Sequence, residues 1–417
     1  MKVLMYGWEF PPKITGGLGV ACYGIVKSLI AQQIKIWLVL PHVMHTEHHE
    51  GSDGFITDNQ EMFEIITNVK NNDHDIKIKF VDTILMPYMT AESYSFTKNA
   101  VLTDASSQNK EQYGNNLISE IKRYARSAGK IAAQTTHDII HAHDWLAILA
   151  GIEAKKISKK PLVFHVHALE TDRSGENLNQ EIFDIEKYGF SMSDRIIAVS
   201  QYTKNKIVEH YHIDPEKIDV AYNGLFHNPL KYNPVEPINK QKTVLFLGRI
   251  THQKGPFYFI DVARHILSKR KDVQFVIAGT GDLLQDLIEY VAQHKLGRYV
   301  HFTGFLGRNL VDKIYLKSNV YVMPSISEPF GISCLEALSN NVPVIISKQS
   351  GVAEVLPHAI KVDFWDIHGF SDKILSLLDN PELGETLLHK SKADLDGLLW
   401  ENSAKSIIQS YLKIIEI

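Results

Sequence analysis

Short apolar runs rich in β-branched residues alternate with amphipathic stretches along most of the chain. Val3–Tyr6 is the first run. Gly17–Ala31 follows, with Val20, Ile25, Val26, Leu29 and Ile30 at helical spacing, and Ile34–Leu40 is the next run. Asp138–His143, Leu162–His167, Arg195–Ser200 and Ile218–Tyr222 continue the series, with helical stretches between them. Strands buried on both faces read as continuous apolar runs of this kind. Their alternation with helices predicts a parallel sheet in a doubly wound α/β domain. The segment His42–Thr103 is more polar and less periodic, and is expected to add strands and loops to that first domain.

The rhythm breaks at Asn228–Pro237, where Pro229, Pro234 and Pro237 crowd together. Proline fixes φ and removes a donor, so this stretch suits neither helix nor strand and reads as a linker. Beyond it the alternation restarts at Val244–Leu247, Val273–Ala278, Val300–Thr303, Val320–Met323 and Val342–Ser347. A last segment, Ser403–Ile417, carries Ile407, Ile408, Tyr411, Leu412 and Ile415 at helical spacing. The expected fold is therefore two Rossmann-like domains, residues 1–230 and 231–398, with a helix in 399–417 that packs back on the first.

A length of 417 residues agrees with two to three domains at about 150 residues each. Lys and Arg number 44 against 48 Asp and Glu, a net charge of −4, which argues against general nucleic-acid binding. Apolar residues make up 44% and charged residues 22%, the balance of a folded globular chain rather than a disordered one. Cys22 and Cys334 lie too far apart in sequence to suggest a disulfide framework or a cysteine zinc cluster. After Met1–Tyr6, Glu9 places a charge where a signal peptide would stay apolar. No run approaches the roughly 20 apolar residues of a spanning helix, so a cytoplasmic protein without an integral membrane segment is expected. The histidine count, 20, is high, and two pairs stand out: His141 with His143, and His165 with His167.

Three loops carry the candidate chemistry. The first βα turn ends in Gly16-Gly17-Leu18-Gly19, where glycines let backbone N–H groups approach an anion at a helix start. The plain alternative is a tight turn with ordinary helix packing. The turn is neither a GxGxxG fingerprint nor a GxxxxGK[ST] loop, which disfavours dehydrogenase and NTPase readings. At the start of the second domain, Gly248–Gly255 follows a strand and holds Arg249 and Lys254. A guanidinium fork and an ammonium point charge suit a diphosphate leaving group, whereas elsewhere such a pair is simply solvated. Further on, Glu328 and Glu336 flank a helix start at Gly331–Ser333. Free N–H groups of Gly331, Ile332 and Ser333 suit a sugar hydroxyl or phosphate, and Glu336 a ribose diol.

Taken in order, these segments resemble the GT-B retaining glycosyltransferases, in their glycogen- and starch-synthase-like group. Trp8–Leu18 looks like the family's donor loop, and His141-Ala142-His143-Asp144-Trp145 like its HxHDW strand end. His165–Gly175 is similar to the segment that carries its active-site histidine. Gly248-Arg249 with Gln253–Gly255, and Glu328–Gly331 with Glu336-Ala337, match its Arg/Lys and E-x7-E motifs; Ser350–Glu354 matches a further turn. The likeness implies transfer of a glucosyl unit from a nucleoside-diphosphate sugar to an α-glucan or another saccharide, with no further cofactor. It implies that Arg249 and Lys254 hold the diphosphate, and that His167 contacts the sugar with its carbonyl near the anomeric centre. By the same likeness Glu328 positions the sugar ring, Gly331, Ile332 and Ser333 present backbone donors, Glu336 binds the ribose, and Gly16 and Gly17 meet the diphosphate. Phe305 and Leu306 are candidates for base contact, and Glu9, Lys13, His143 and Asp144 for the acceptor side of the cleft. The sequence departs from the starch-synthase pattern at two places. Lys13 lies three residues before Gly16 rather than two, and Val20 stands where Asp is frequent.

The histidine pairs also invite a metallohydrolase reading, since i and i+2 share a strand face. A catalytic metal needs further ligands, which the sequence does not supply beyond Asp144, so no metal is expected. No GxSxG turn is present, and Cys334 reads as a small core residue, so a nucleophile triad is not expected. A glycan-binding protein that keeps the fold without activity would be expected to lose Arg249, Lys254 or Glu328, and all three stand.

Overall fold

The computed structural model describes residues 1–11, 16–42, 76–85, 91–104, 116–175, 177–226 and 242–415. Two separate parallel sheets form. The first joins β1 (Lys2–Tyr6), β2 (Lys35–His42), β3 (Ile76–Asp82), β4 (Ile139–His143), β5 (Leu162–Val166), β6 (Arg195–Ala198) and β7 (Ile218–Val220). Their order is β3-β2-β1-β4-β5-β6-β7. The second joins β8 (Lys242–Leu247), β9 (Val273–Ala278), β10 (Val300–Gly304), β11 (Val320–Met323), β12 (Val344–Ser347) and β13 (Ile360–Val362) in the order β10-β9-β8-β11-β12-β13. Every pairing in both sheets is parallel. The expected doubly wound architecture is present twice.

Both sheets bury their faces. All five residues of β4 and of β5 are buried, as are all four of β11 and of β12. Helices α1 (Gly17–Ala31), α3 (Leu117–Gly129), α4 (Asp144–Ser158) and α6 (Gln180–Met192) contribute to the first core. Between α1 and α3 lies α2 (Ala91–Asp104), followed later by the single turn α5 (Glu170–Arg173) and α7 (Gln201–Tyr211). In the second half come α8 (Pro256–Lys269), α9 (Leu284–Gln293), α10 (Arg308–Leu316), α11 (Ile332–Ser339), α12 (Ile367–Asp379) and α13 (Pro381–Asp396).

The last helix, α14 (Trp400–Ile415), crosses back. Trp400, Ala404, Ile407 and Tyr411 join the core of the first sheet, not the second. The crossing strand of backbone is pinned by Leu225 N–H to Leu398 O at 2.8 Å and Trp400 N–H to Leu225 O at 3.0 Å. Gly24 of α1 makes room for the Trp400 indole: a Cβ there would sit 2.2 Å from the ring.

Two departures from the sequence reading are local. Residues 91–104 form a helix where strands and loops were expected. Tyr94 is fully buried while Phe96 is 78% exposed, so its apolar residues do not mark one continuous face. Strand β13, Ile360–Val362, escaped notice: Lys361 interrupts its three residues and only Val362 is buried. The remainder of His42–Thr103 falls mostly outside the described residues. Among the described residues no helix is long and apolar enough to cross a membrane.

Candidate active site

In each sheet the strand order reverses at one point: between β1 and β4 in the first, and between β8 and β11 in the second. Loops leaving the carboxyl ends of such strands diverge and leave a crevice for ligands. Glu9, Gly16 and Gly17 follow β1, His143 and Asp144 end β4, and His167 follows β5. Arg249 and Lys254 follow β8, and Glu328 follows β11. The structure thus brings the predicted residues to two facing sets of loops. Lys13 lies outside the described residues.

On the first side, Gly16 caps α1 in extended conformation and Gly17 is exposed, with open space around it. Glu9 is buried, and its Oε2 accepts the Gly19 N–H at 3.0 Å. A carboxylate at a helix N-terminus is favoured by the dipole, so this glutamate anchors the glycine loop from beneath rather than lining the cleft. Asp144 takes a left-handed backbone at φ 56. Such a conformation costs a non-glycine residue of order 1 kcal/mol and persists where surroundings enforce it. Here the carboxylate is the reason: Oδ1 accepts the His167 N–H at 2.7 Å and the Ala168 N–H at 3.3 Å. From the other side Arg173 donates to the Ala168 carbonyl at 2.7 Å, itself held by Glu170 and Glu186. The His167–Ala168 backbone is clamped between an acid and a base.

The four histidines form one stacked ladder across β4 and β5. His141 and His143 stack with centroids 4.4 Å apart, and His165 and His167 at 4.5 Å. Rungs connect them: His141 Nε2 lies 3.2 Å from His165 Nδ1, and His143 Nδ1 lies 2.9 Å from His167 Nε2. At the buried end the Tyr411 hydroxyl meets His141 Nδ1 at 2.5 Å. Burial lowers the affinity of all four rings for a proton, bringing His141 to about 3. For His167 the Asp144 carboxylate partly opposes that effect. The expectation that His143 lines the cleft is corrected. His143 is fully buried, because i and i+2 share the sheet face that α1 and α14 cover, and only His167 reaches the surface.

The sequence also missed Cys22. Its thiol, on α1, comes close enough to His143 and His167 for one ion to touch all three, and His141, His143 and His165 form a second such group. Burial raises the thiol pKa, which disfavours the thiolate a metal would need. The rings are partly engaged with one another through His141 Nε2–His165 Nδ1 and His143 Nδ1–His167 Nε2, while His143 Nε2, His165 Nε2 and His167 Nδ1 have no hydrogen-bond partner among the described residues.

On the second side, Lys254 Nζ lies 2.5 Å from Glu328 Oε2, and Ser325 donates to the same oxygen at 3.2 Å. Arg249, in the same loop as Lys254 just past β8, is half-buried. Gly331 starts α11 at φ 111, a conformation open to glycine, so the N–H groups of Ile332 and Ser333 begin the helix at the loop. The Ser333 hydroxyl is engaged by Tyr321 at 2.7 Å, and its carbonyl accepts from Tyr315 at 2.9 Å. Tyr315 also reaches Glu336 at 3.4 Å. Burial raises the Glu336 pKa, offset in part by Arg308. Phe305 is 48% exposed after β10, whereas Leu306 packs against the core.

The two sides touch through Asp172 and Glu354, which lie in segments the sequence marked, and through Lys206, Ser200 and Ser327, to which it gave no role. Ser327 Oγ donates to Asp172 Oδ1 at 2.6 Å and accepts from Lys206 at 2.8 Å. The Ser200 hydroxyl donates to the Pro329 carbonyl at 2.6 Å. Glu354, from the glycine turn after β12, accepts the N–H groups of Gln201 and Tyr202 at the start of α7. Such contacts join residues more than a hundred positions apart, and only the fold reveals them.

Two parallel Rossmann-like domains whose switch-point loops face each other, one offering a clamped histidine turn and the other a lysine–glutamate pair, define a GT-B transferase architecture. Comparison with known proteins agrees. Residues 231–393 match the family Glycosyl transferases group 1, and residues 110–226 match Glycosyltransferase Family 4. The chain belongs to the GT-B glycosyltransferases. It is 27% identical to an uncharacterized glycosyltransferase of Methanocaldococcus jannaschii, over 100% of this chain and 99% of the relative. It is 22% identical to glycogen synthase of Mycobacterium tuberculosis, over 99% and 94%. A sucrose-phosphate synthase from Thermosynechococcus elongatus superposes with TM-score 0.73 at 16% identity, covering 100% of this chain and 99% of that one. Anabaena HepE in complex with UDP and glucose gives TM-score 0.71 at 16% identity, covering 99% and 100%.

Proposed function

We propose that this transferase retains anomeric configuration and moves a glucosyl unit from ADP- or UDP-glucose to an α-glucan, as a cytoplasmic enzyme. The observation that carries the reading is the Lys254–Glu328 pair at the switch point of the second sheet. In the free site these two groups neutralise each other. A nucleotide sugar offers each a better partner: the diphosphate takes Lys254 with Arg249, and the sugar hydroxyls take Glu328. The second domain is then the donor side, with Glu336 on the ribose, the first turn of α11 on phosphate or sugar, and Phe305 and Leu306 near the base. The first domain is the acceptor side, with Gly16, Gly17 and His167 at the junction.

The chemistry this supports is electrostatic. Charge grows on the departing diphosphate as the glycosidic bond breaks, and two fixed cations stabilise it. The His167 carbonyl, fixed by Asp144 and Arg173 acting on its neighbouring peptide, is placed for an oxocarbenium-like centre. Retention then follows from acceptor attack on the face the diphosphate leaves, without a covalent enzyme intermediate of the kind that paired carboxylates form. Closure of the cleft would exclude water.

A second reading keeps the reaction and changes the acceptor to a small sugar, a sugar phosphate or a lipid-linked glycan. One relative, 28% identical over 63% of this chain, is a 2-deoxystreptamine N-acetyl-D-glucosaminyltransferase of Niallia circulans. The test is nucleotide release from ADP-, UDP- and GDP-sugars with glycogen, maltose or glucose as acceptor, followed by NMR of the product anomer. Release with glycogen and an α-linked product support the first reading. Release only with small acceptors moves the assignment to the second, and a β-linked product overturns retention.

A further inference from the structure

We propose that Asp172 is a positioning residue that ties the two halves of the active site together, with Ser327 as its partner and Lys206 as its counter-charge. The inference rests on the assignment of Glu328 and His167 above. The Asp172 side chain is fully buried, and its two oxygens serve opposite sides of the cleft. Oδ2 accepts the Leu169 N–H at 2.9 Å and so fixes the turn two residues after His167. Oδ1 accepts the Ser327 hydroxyl at 2.6 Å, one residue before Glu328. Lys206 Nζ lies 2.5 Å from that same Oδ1 and 2.8 Å from Ser327 Oγ, so the buried carboxylate has its charge partner inside the same cluster. The Tyr202 hydroxyl adds a third contact to Ser327 Oγ at 3.0 Å.

The loop so gripped is short, and the first domain holds it a second time just past Glu328, where the Ser200 and Thr203 hydroxyls donate to the Pro329 carbonyl at 2.6 and 3.3 Å. Ile326 N–H donates to Gln253 O at 2.9 Å, which ties it to the residue before Lys254, and Glu328 N–H donates to Gln349 O at 2.9 Å. Ser327 sits between these two anchors and is where the first domain takes hold on the amino-terminal side of Glu328. Charge-assisted hydrogen bonds are short and directional, and a buried one resists sliding. The carboxylate therefore sets the register of Glu328 against the His167 turn across the cleft. Asp172 and Lys206 touch neither donor nor acceptor in this scheme; they act through the placement of others.

Ser327→Ala removes the bridge while leaving Asp172 paired with Lys206, and Asp172→Asn removes the charge. The measurements are kcat and KM for transfer, nucleoside-diphosphate affinity by calorimetry, and melting temperature, on both variants and the double variant. A misplacement of this kind lowers kcat by about tenfold or more. Nucleotide affinity should stay within about twofold, since the diphosphate and ribose contacts are untouched. The double variant should lose no more than the worse single one, because both substitutions break one bridge. Wild-type kcat in Ser327→Ala, or multiplicative losses in the double variant, overturns the coupling. If Asp172→Asn fails to fold, Ser327→Ala with Lys206→Met decides on the same criteria. Glu328→Gln and Lys254→Ala serve as controls. Retained transfer in both would sink the site assignment itself, whereas their loss beside an active Ser327→Ala sinks only the coupling.

Discussion

Lys254 and Glu328, 74 positions apart in sequence, meet at 2.5 Å across the loops that leave β8 and β11. Each is the other's partner in the free protein, and the proposed mechanism has the nucleotide sugar take both. Lys254→Ala should therefore lower kcat/KM for transfer by at least about a hundredfold, the scale seen when one donor to developing charge is removed. Its stability cost should be smaller, because Lys254 retains partial exposure and the pair is screened. Steady-state kinetics beside a thermal melt separate the two. Near-wild-type turnover would mean that the leaving group lies elsewhere.

Donor affinity is predicted to depend on pH through the proposed contact of the donor ribose with Glu336. Burial raises its pKa, so its ionised form, the better acceptor for ribose hydroxyls, is lost on acidification earlier than for an ordinary carboxylate. Nucleotide affinity should weaken as pH falls, and Glu336→Gln should be weaker throughout and flat over that range. Calorimetric titration of nucleoside diphosphate across the acid range tests this. An unchanged slope in the variant would assign the effect to another group.

The histidine ladder makes acid stability a property of one sheet. All four rings have folded pKa values below the ordinary 6.5, and His141 falls to about 3. Below pH 6.5 the unfolded chain binds protons that the folded ladder refuses. Stability should thus be level above that pH and decline as pH falls through and below it, by about 1.4 kcal/mol per unit for each ring that stays neutral. Asp219, held at about 2 first by Arg195 against the effect of burial, adds its loss of stability at more acid pH. Replacing His141 and Tyr411 by Leu and Phe removes one titrating ring together with its tyrosine partner, at the cost of leaving His165 Nδ1 without its rung. Denaturant unfolding should then show a shallower acid decline, and an identical decline would clear the ladder of the effect.

Chelation should leave transfer unchanged. Cys22, His143 and His167 come within reach of one ion, yet burial favours the neutral thiol over the thiolate a metal would need. Elemental analysis of the purified protein, and rates after EDTA treatment, check this directly. A stoichiometric metal with rates that collapse on chelation and recover on refilling would replace the electrostatic scheme with a metal-assisted one.

Gly24→Ala should destabilise the first domain. The new Cβ would meet the Trp400 indole, and overpacking a filled core costs about 1–3 kcal/mol. Trp400→Phe in the same chain should recover part of the loss, and a melt that showed no such recovery would place the strain elsewhere.

Much of this fold was legible because its strands are buried on both faces. A run such as Leu162–Val166 has nowhere to go but the middle of a parallel sheet, and the alternation then dictates the winding. Arg249, Lys254 and Glu328 were legible as separate motifs because strand ends in such folds concentrate function. Their mutual geometry was not, since nothing in residues 254 and 328 fixes which nitrogen meets which oxygen. Cys22 was invisible as a neighbour of His143, because α1 reaches it only after packing on β4. Asp172 and Ser327 lie inside recognisable segments, but nothing in either, or in Lys206, announces that the three meet until the two domains place them together.

The return of α14 has a bearing on how the chain is made. The core of the first sheet includes Trp400, Ala404, Ile407 and Tyr411, which leave the ribosome after the whole second domain. Domains usually fold in the order they are synthesised. Here the earlier one must wait, its α1 face and the outer end of His141 uncovered, until the later one is complete. The second domain is thus in a position to finish folding before the first one closes.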